Sequence, residues 1–434
     1  MEAAPIMLAG VLTAYAIWTV WRLEPLHPGQ LWAIPWAVST TLYALHLLPY
    51  RGLSPLDAVL IGCASAAFLA GSVVLGSRVE RSEASMEPHA YRTVASAAVL
   101  SLGLTVVGLV AFLVQAVNAY GFAGAIVSPA PLRRGIELAR FTITIKYIYP
   151  AIATSALAGV AAGLAPSRSQ RARWIGAGAL AVLSVYFATG RGTIVDTALA
   201  GLCAFAFAKP ARVERRHFVP AIIAMACATV AVFLVGGAVI GKTYANNSAL
   251  RHVPSVFNDH PSISVLALPY EYASAPIAAL GVQLSVATAL GDAHGCAVLH
   301  PVCVALRSAG LAVPDVPRIR PFTSAPLPWN TYTALDVPII DWGTVLVVPF
   351  LGCVGILLGW FARMAWRGDA RWVLVYSVEA IALLTSTSSF NFLAPHVVGG
   401  ILVGLAALWA GKKYTAVKVS TGSLPAPTVR DAHG

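Results

Sequence analysis

The sequence predicts an all-α polytopic membrane protein with about 11 transmembrane helices. One large extracytoplasmic loop, containing short or re-entrant helices, interrupts the series. Three observations lead there. The 434-residue chain is 58% hydrophobic and 11% charged, less than half the roughly 25% charge of a soluble domain. Its mean hydropathy is +0.75. Uncharged runs near the ~20 residues needed to cross a bilayer recur from end to end. A water-soluble enzyme, a disordered chain and a single-anchor receptor are thereby excluded. The formal charge of +11 reads as loop charge, and no nucleic-acid partner is expected.

Apolar runs bounded by breakers and charges give the elements in order. The spans are residues 5–21, 31–49, 55–76, 94–117, 141–164, 174–189, 192–208, 218–240, 342–361, 372–388 and 396–411. Helices are required because each backbone amide within a bilayer needs a partner in its own segment. The runs also lack the alternation of a membrane barrel. The whole chain, 1–434, is read as one integral membrane domain. Residues 118–140 form an outer amphipathic segment, in which Leu132, Ile136 and Ala139 share a face beside Arg133, Glu137 and Arg140. Residues 241–341 form the large extracytoplasmic loop, and within it 262–290 is apolar enough for a re-entrant or surface-lying pair of helices. Residues 412–434 are a short cytoplasmic tail.

Lys and Arg set the direction. With the C-terminus in the cytoplasm, 18 of the 29 basic residues fall on that side, including the dense clusters Arg168–Arg173 and Lys209–Arg216. The expectation is an inner-membrane protein with its N-terminus outside. The long loop translocates despite its charge, but Arg191 and Lys146 are unexplained by the rule. Arg191 sits in a turn of two or three residues, and Lys146 lies inside an apolar run.

Cysteine usage points to no metal site. Cys63, Cys203, Cys227 and Cys353 stand alone in apolar runs and read as buried thiols. Cys296 and Cys303, in the longest polar loop, can pair if that loop faces an oxidising compartment. Gly236–Thr243 matches the phosphate-loop pattern G-x-x-x-x-G-K-T, but it ends a membrane helix and is read as coincidence.

The candidate chemistry gathers at the outer rim. In Thr189-Gly190-Arg191-Gly192-Thr193 the glycines permit a tight turn, and the guanidinium either binds a phosphate bidentately or snorkels and pairs with Asp196. Arg133, Arg134, Arg140 and Lys146 suit a diphosphate as a group and headgroups singly. Arg318 and Arg320 are either functional or solvated surface. From Asn330 through Tyr332, Thr333 and Asp336 to Asp341 the chain carries amides, hydroxyls, carboxylates and rings, the usual ligands of a sugar. Asp341 alternatively caps the following helix. Glu379 lies mid-helix and is a functional or paired group. Asn391 and His396 flank the last outer turn.

The Gly190-Arg191-Gly192 turn, the late outer loop, and its closing Asn330-x-Tyr332-Thr333 and Asp341-Trp342-Gly343 resemble the bacterial oligosaccharide repeat unit polymerases, the O-antigen polymerase family. The architecture is similar over most of the chain, the motifs over only about twenty residues. The resemblance implies a metal-independent glycosyltransferase with no cofactor, working on the outer face of the cytoplasmic membrane. Its donor and acceptor would be undecaprenyl-diphosphate-linked oligosaccharides among the membrane lipids. Arg191 would bind the donor diphosphate and stabilise the leaving group's charge. Arg133, Arg134, Arg140, Lys146, Arg318 and Arg320 would assist. Asn330, Tyr332, Thr333 and Asp341 would shape the sugar site. The general base stays open among Glu271, Asp336, Asp341 and His396. Also open are a chain-length regulator as partner, a ligase that transfers the glycan to another acceptor, and a transporter or flippase.

Overall fold

The computed structural model describes residues 3–76, 88–122, 124–125, 132, 135–136, 140–188, 191–208, 230–231, 234, 247–286, 293–316, 323–324, 328–329 and 332–420. Among these residues the chain is helix and turn, apart from a two-residue antiparallel hairpin of β1 (Thr323–Ser324) and β2 (Pro328–Trp329). The helices are α1 (Ala3–Arg22), α2 (Pro28–Ala44), α3 (Pro55–Gly76), α4 (Pro88–Phe122), α5 (Ile148–Leu164), α6 (Arg168–Ser184) and α7 (Arg191–Ala208). They continue with α8 (Ser248–His252), α9 (Val256–Asp259), α10 (Ala267–Val286), α11 (His300–Ser308), α12 (Asp336–Trp366), α13 (Ala370–Leu384) and α14 (Pro395–Ser420).

Among the described residues, seven helical stretches are long and apolar enough to cross a membrane. They are Ala3–Arg22, Pro55–Gly76, Ala90–Phe122, Thr144–Leu164, Pro261–Ser285, Asp336–Trp366 and Pro395–Ala416. The protein is an all-α, multi-pass membrane protein. The predicted stretches at 31–49, 174–189, 192–208 and 372–388 also coincide with helices, but shorter ones. The stretch 218–240 lies almost wholly outside the described residues, as does the phosphate-loop pattern.

Two readings change. Residues 262–290 were expected as a re-entrant or surface-lying pair; they instead open with a 3-10 turn, Pro261–Leu266, that runs into one continuous helix. Pro276 lies inside this helix, which continues through it. Cys63 and Cys353 are exposed on outward helix faces, whereas Cys203 is buried as expected. Cys227 lies outside the described residues.

The chain divides into two compact units. Unit 1 holds Met1–Arg78, Glu214–Arg363 and Glu379–Val397. Its first turn is set by His27, whose Nδ1 accepts the Gly29 amide at 3.0 Å and so caps α2. Gln30 donates its side-chain amide to the Thr19 and Leu23 carbonyls, tying α2 to the end of α1. Trp32 stacks on Phe68 with centroids 4.4 Å apart, and Trp36 follows at 5.4 Å. A seam of small residues joins α3 and α12. A Cβ at Gly71 would collide with the Gly352 carbonyl oxygen, one at Gly355 with the Phe68 carbonyl, and one at Gly359 would sit 2.5 Å from the Ser72 carbonyl. Contact positions rise together on both helices, so the two run parallel with backbones touching. Small residues allow this close approach, as in membrane helix pairs generally. The charge pattern also gives both helices the same direction.

Unit 2 holds Val79–Val213, Met364–Val378 and Val398–Gly434. Its α5–α7 seam uses the same device, with Gly159 against the Gly201 carbonyl and Gly201 against Ser155. Between α4 and α5, Thr105 and Thr154 share a hydrogen bond at 3.0 Å. Thr154 donates to the Ser101 hydroxyl at 2.9 Å, and Ser101 passes its proton to the Pro150 carbonyl. Hydroxyls thus find partners without water. Leu132, Phe112, Phe141 and Tyr147 form a buried cluster, with Ile136 packed against it.

Candidate functional site

Unit 1 carries its polar and aromatic candidate groups on three segments. The first is the entry to α12. Thr333 Oγ1 accepts the Leu335 amide at 3.2 Å, and the Asp336 amide returns to the Thr333 carbonyl at 3.1 Å. This turn places Asp336 at a helix N-terminus, where backbone dipoles favour a carboxylate. The Ala334 amide donates to the Ser386 carbonyl at 2.6 Å, while Ser386 Oγ accepts the Trp36 indole at 3.0 Å. Tyr332, Thr333 and Asp336 are consequently all buried.

The second segment is the start of α10. Tyr272 meets Trp329 edge-on at 5.1 Å, which brings the helix to the hairpin preceding Tyr332. Glu271, the neighbouring residue, is 4% exposed and close enough to Tyr50 for its charge to act on that phenol. Ser274 spends its proton on the Tyr270 carbonyl at 2.6 Å, so Tyr50 must donate in their 2.7 Å hydrogen bond. Burial drives the Tyr50 phenol far above the ordinary range; the Ser274 bond opposes the rise, and Tyr270, Glu271 and Tyr43 add to it. Tyr50 is therefore held as the protonated donor. Tyr270 donates to the Leu42 carbonyl and accepts the Leu47 amide, so the tyrosine cluster fixes α10 against the end of α2.

The third segment is the disulfide-bonded loop. Cys296 and Cys303 are joined, with Cα atoms 5.5 Å apart. Asp341, the sixth residue of α12, clamps this loop from below. Its Oδ1 accepts the Ala297 amide at 2.8 Å and its Oδ2 the Val298 amide at 2.7 Å. Both oxygens thus serve the loop, and the break in α12 follows two residues later at Gly343. Arg307 pairs with Asp315 and donates to the Pro314 carbonyl, ordering the chain beyond α11. Gly343, with φ 75°, breaks α12 just after Trp342, a left-handed conformation that glycine adopts without strain.

The remaining candidates distribute as follows. His396 opens α14 as part of unit 1, and Asn391 nearby donates to Thr385 Oγ1 at 2.9 Å. Arg191 is the first residue of α7 in unit 2. Arg140 and Lys146, also in unit 2, are exposed, with Lys146 in the 3-10 turn before α5. Near them Thr144 donates to Gln115 at 2.6 Å. Arg133, Arg134, Arg318, Arg320 and Asn330 lie outside the described residues. Sequence reading had no signal for Ser386, Trp329 or Tyr50, whose roles come from partners far along the chain. Among the described residues, no cluster of three or more His, Cys, Asp or Glu side chains could hold a metal ion. No family model, curated protein or solved structure matches this chain.

Proposed function

We propose that this protein is a membrane glycosyltransferase that polymerises undecaprenyl-diphosphate-linked oligosaccharide repeat units on the outer face of the cytoplasmic membrane. The observations that support the reading are the Tyr272–Trp329 ring contact beside the buried Glu271, and the buried Tyr332, Thr333 and Asp336 at the entry to α12, both in unit 1. Rings beside carboxyl and hydroxyl groups suit the apolar face and polar rim of a sugar. The Cys296–Cys303 disulfide supports placing the adjoining loop in an oxidising compartment, which agrees with the charge pattern. That direction puts the N-terminus outside and the C-terminus in the cytoplasm, with the eleven spans of the sequence reading crossing the membrane and Pro261–Ser285 lying on the outer side without crossing.

Glu271 is the preferred general base. Asp341 is less suited, because each of its oxygens already accepts a backbone amide. In this scheme Glu271 takes the acceptor hydroxyl proton as that oxygen attacks the donor's anomeric carbon, and the lipid diphosphate departs. Arg191, in unit 2, is proposed on its own account, from the Gly190-Arg191-Gly192 turn, as a guanidinium that binds phosphate. The chemistry asks for no cofactor.

The test uses purified protein in lipid nanodiscs with a lipid-linked oligosaccharide, its products resolved by glycan length, with and without EDTA. A ladder that survives EDTA and falls at least a hundredfold in rate with Glu271→Gln and Arg191→Ala supports the proposal. Full activity in both variants would refute the assignment. Transfer only onto a second, chemically different acceptor would convert the reading to a ligase.

A further inference from the structure

Unit 1 contains a cavity of about 360 Å³ that the glycan chemistry does not use. Its size is that of a small-molecule site. Trp342, Phe350, Phe361, Phe390 and Phe392 line it together with aliphatic side chains. Four of the rings form a continuous series. Trp342 and Phe350 lie 4.8 Å apart, Phe350 and Phe390 6.3 Å, and Phe390 and Phe392 5.2 Å. One carboxyl, Glu379, stands in this apolar wall. Glu379 is 8% exposed, and its buried Oε2 has no hydrogen-bond partner among the described residues. No basic side chain is among the residues lining the cavity.

Such a carboxyl is anomalous. Buried polar atoms are almost always paired, and an unpaired ionised group in apolar surroundings costs several kcal/mol. The partner that resolves the anomaly is a cation that enters with its own hydrocarbon. Aromatic faces attract ammonium groups, and a carboxylate beside them fixes the charge. Entry is from the side: Leu357 and Leu299, both lining residues, are 48% and 44% exposed, so an apolar rim leads to the cavity.

We infer that the Glu379 cavity binds a lipophilic amine, a hydrocarbon chain or ring system bearing one protonated nitrogen. The ammonium pairs with Glu379, and the hydrocarbon lies along the ring series. The site is separate from the glycan patch and stands whether or not that reading holds.

Dicyclohexylcarbodiimide, a membrane-soluble reagent, adds to a carboxyl in apolar surroundings, and mass spectrometry locates the adduct. In nanodiscs it labels Glu379 in the wild-type protein, and Glu379→Gln removes that adduct. Dodecylamine slows the labelling at least fivefold, whereas dodecanol at the same bilayer fraction slows it less than twofold. Phe390→Leu leaves labelling intact and weakens the amine's protection about threefold. Equal protection by amine and alcohol would overturn the charge pairing. Absence of labelling at Glu379, with the protein folded by thermal melt, would overturn the open cavity itself.

Discussion

The most direct test of the loop architecture is removal of the Asp341 clamp. In Asp341→Ala the amides of Ala297 and Val298 lose acceptors at 2.8 and 2.7 Å. A buried donor left without an acceptor costs about 1–3 kcal/mol, and bonds to charged groups sit at the upper end. Val298 is buried and Ala297 partly buried, so the alanine variant should lose about 3–4 kcal/mol from the closed loop. Asp341→Asn retains one acceptor but turns an NH₂ group toward the other amide, which gives about half that loss. Each 1.4 kcal/mol is tenfold in the opening equilibrium, so amide exchange at 297–298 should quicken by several hundredfold in the alanine variant and about twentyfold in the asparagine variant. Hydrogen exchange with mass spectrometry on peptides spanning 293–300 reads this directly, because the disulfide keeps the loop closed covalently. Unchanged exchange in both variants would show that Asp341 does not hold the loop, and it would return to consideration as the general base.

Other outcomes follow from the same contacts. Gly355→Leu should lower thermal stability severely, by about 3 kcal/mol or more, because its side chain meets the backbone of α3; Gly103→Ala, with open space around it, should be near neutral in the same melt. His27, lowered to about 4 by burial, is neutral in the fold, whereas in the unfolded chain it titrates near 6.5. Stability is therefore full above pH 6.5 and declines as pH falls toward 4, by about 3 kcal/mol at most; His27→Asn should flatten that part of the pH profile. Cys296 and Cys303 should be closed to thiol reagents until reduced, and then open to a membrane-impermeant maleimide added from outside; labelling only from the cytoplasmic side would reverse the proposed topology.

The helical plan was legible because apolar length is a property of local sequence. Residues 55–76 begin identically in sequence and structure, since Pro55 takes the first helical position. The start of α12 was less legible. Asp341 and its polar neighbours suggested a boundary at residue 342; the helix does break there, at Gly343, and a further short helical segment from Asp336 precedes the break. The long apolar segment at 261–286 could be placed in the membrane's reach, but periodicity does not distinguish one helix from a broken pair when neither face is polar. Site geometry was least accessible. The bond from Asp341 to Val298 spans 43 residues, and that from Trp36 to Ser386 spans 350. No window along the chain encodes such pairings; only the close approach of α3 and α12 and the turns at each end bring them about.

That close approach also divides α12 mechanically. Beyond Gly343 the helix is keyed to α3 by carbonyls pressed against glycine, so it can neither roll nor slide without backbone collision. Before Gly343 it is a short arm, Asp336 to Trp342, joined to the stalk through a residue at φ 75°. Whatever reaches Asp336 and Asp341 thus acts on a pivoted lever whose fulcrum is one glycine, with the shaft below it anchored.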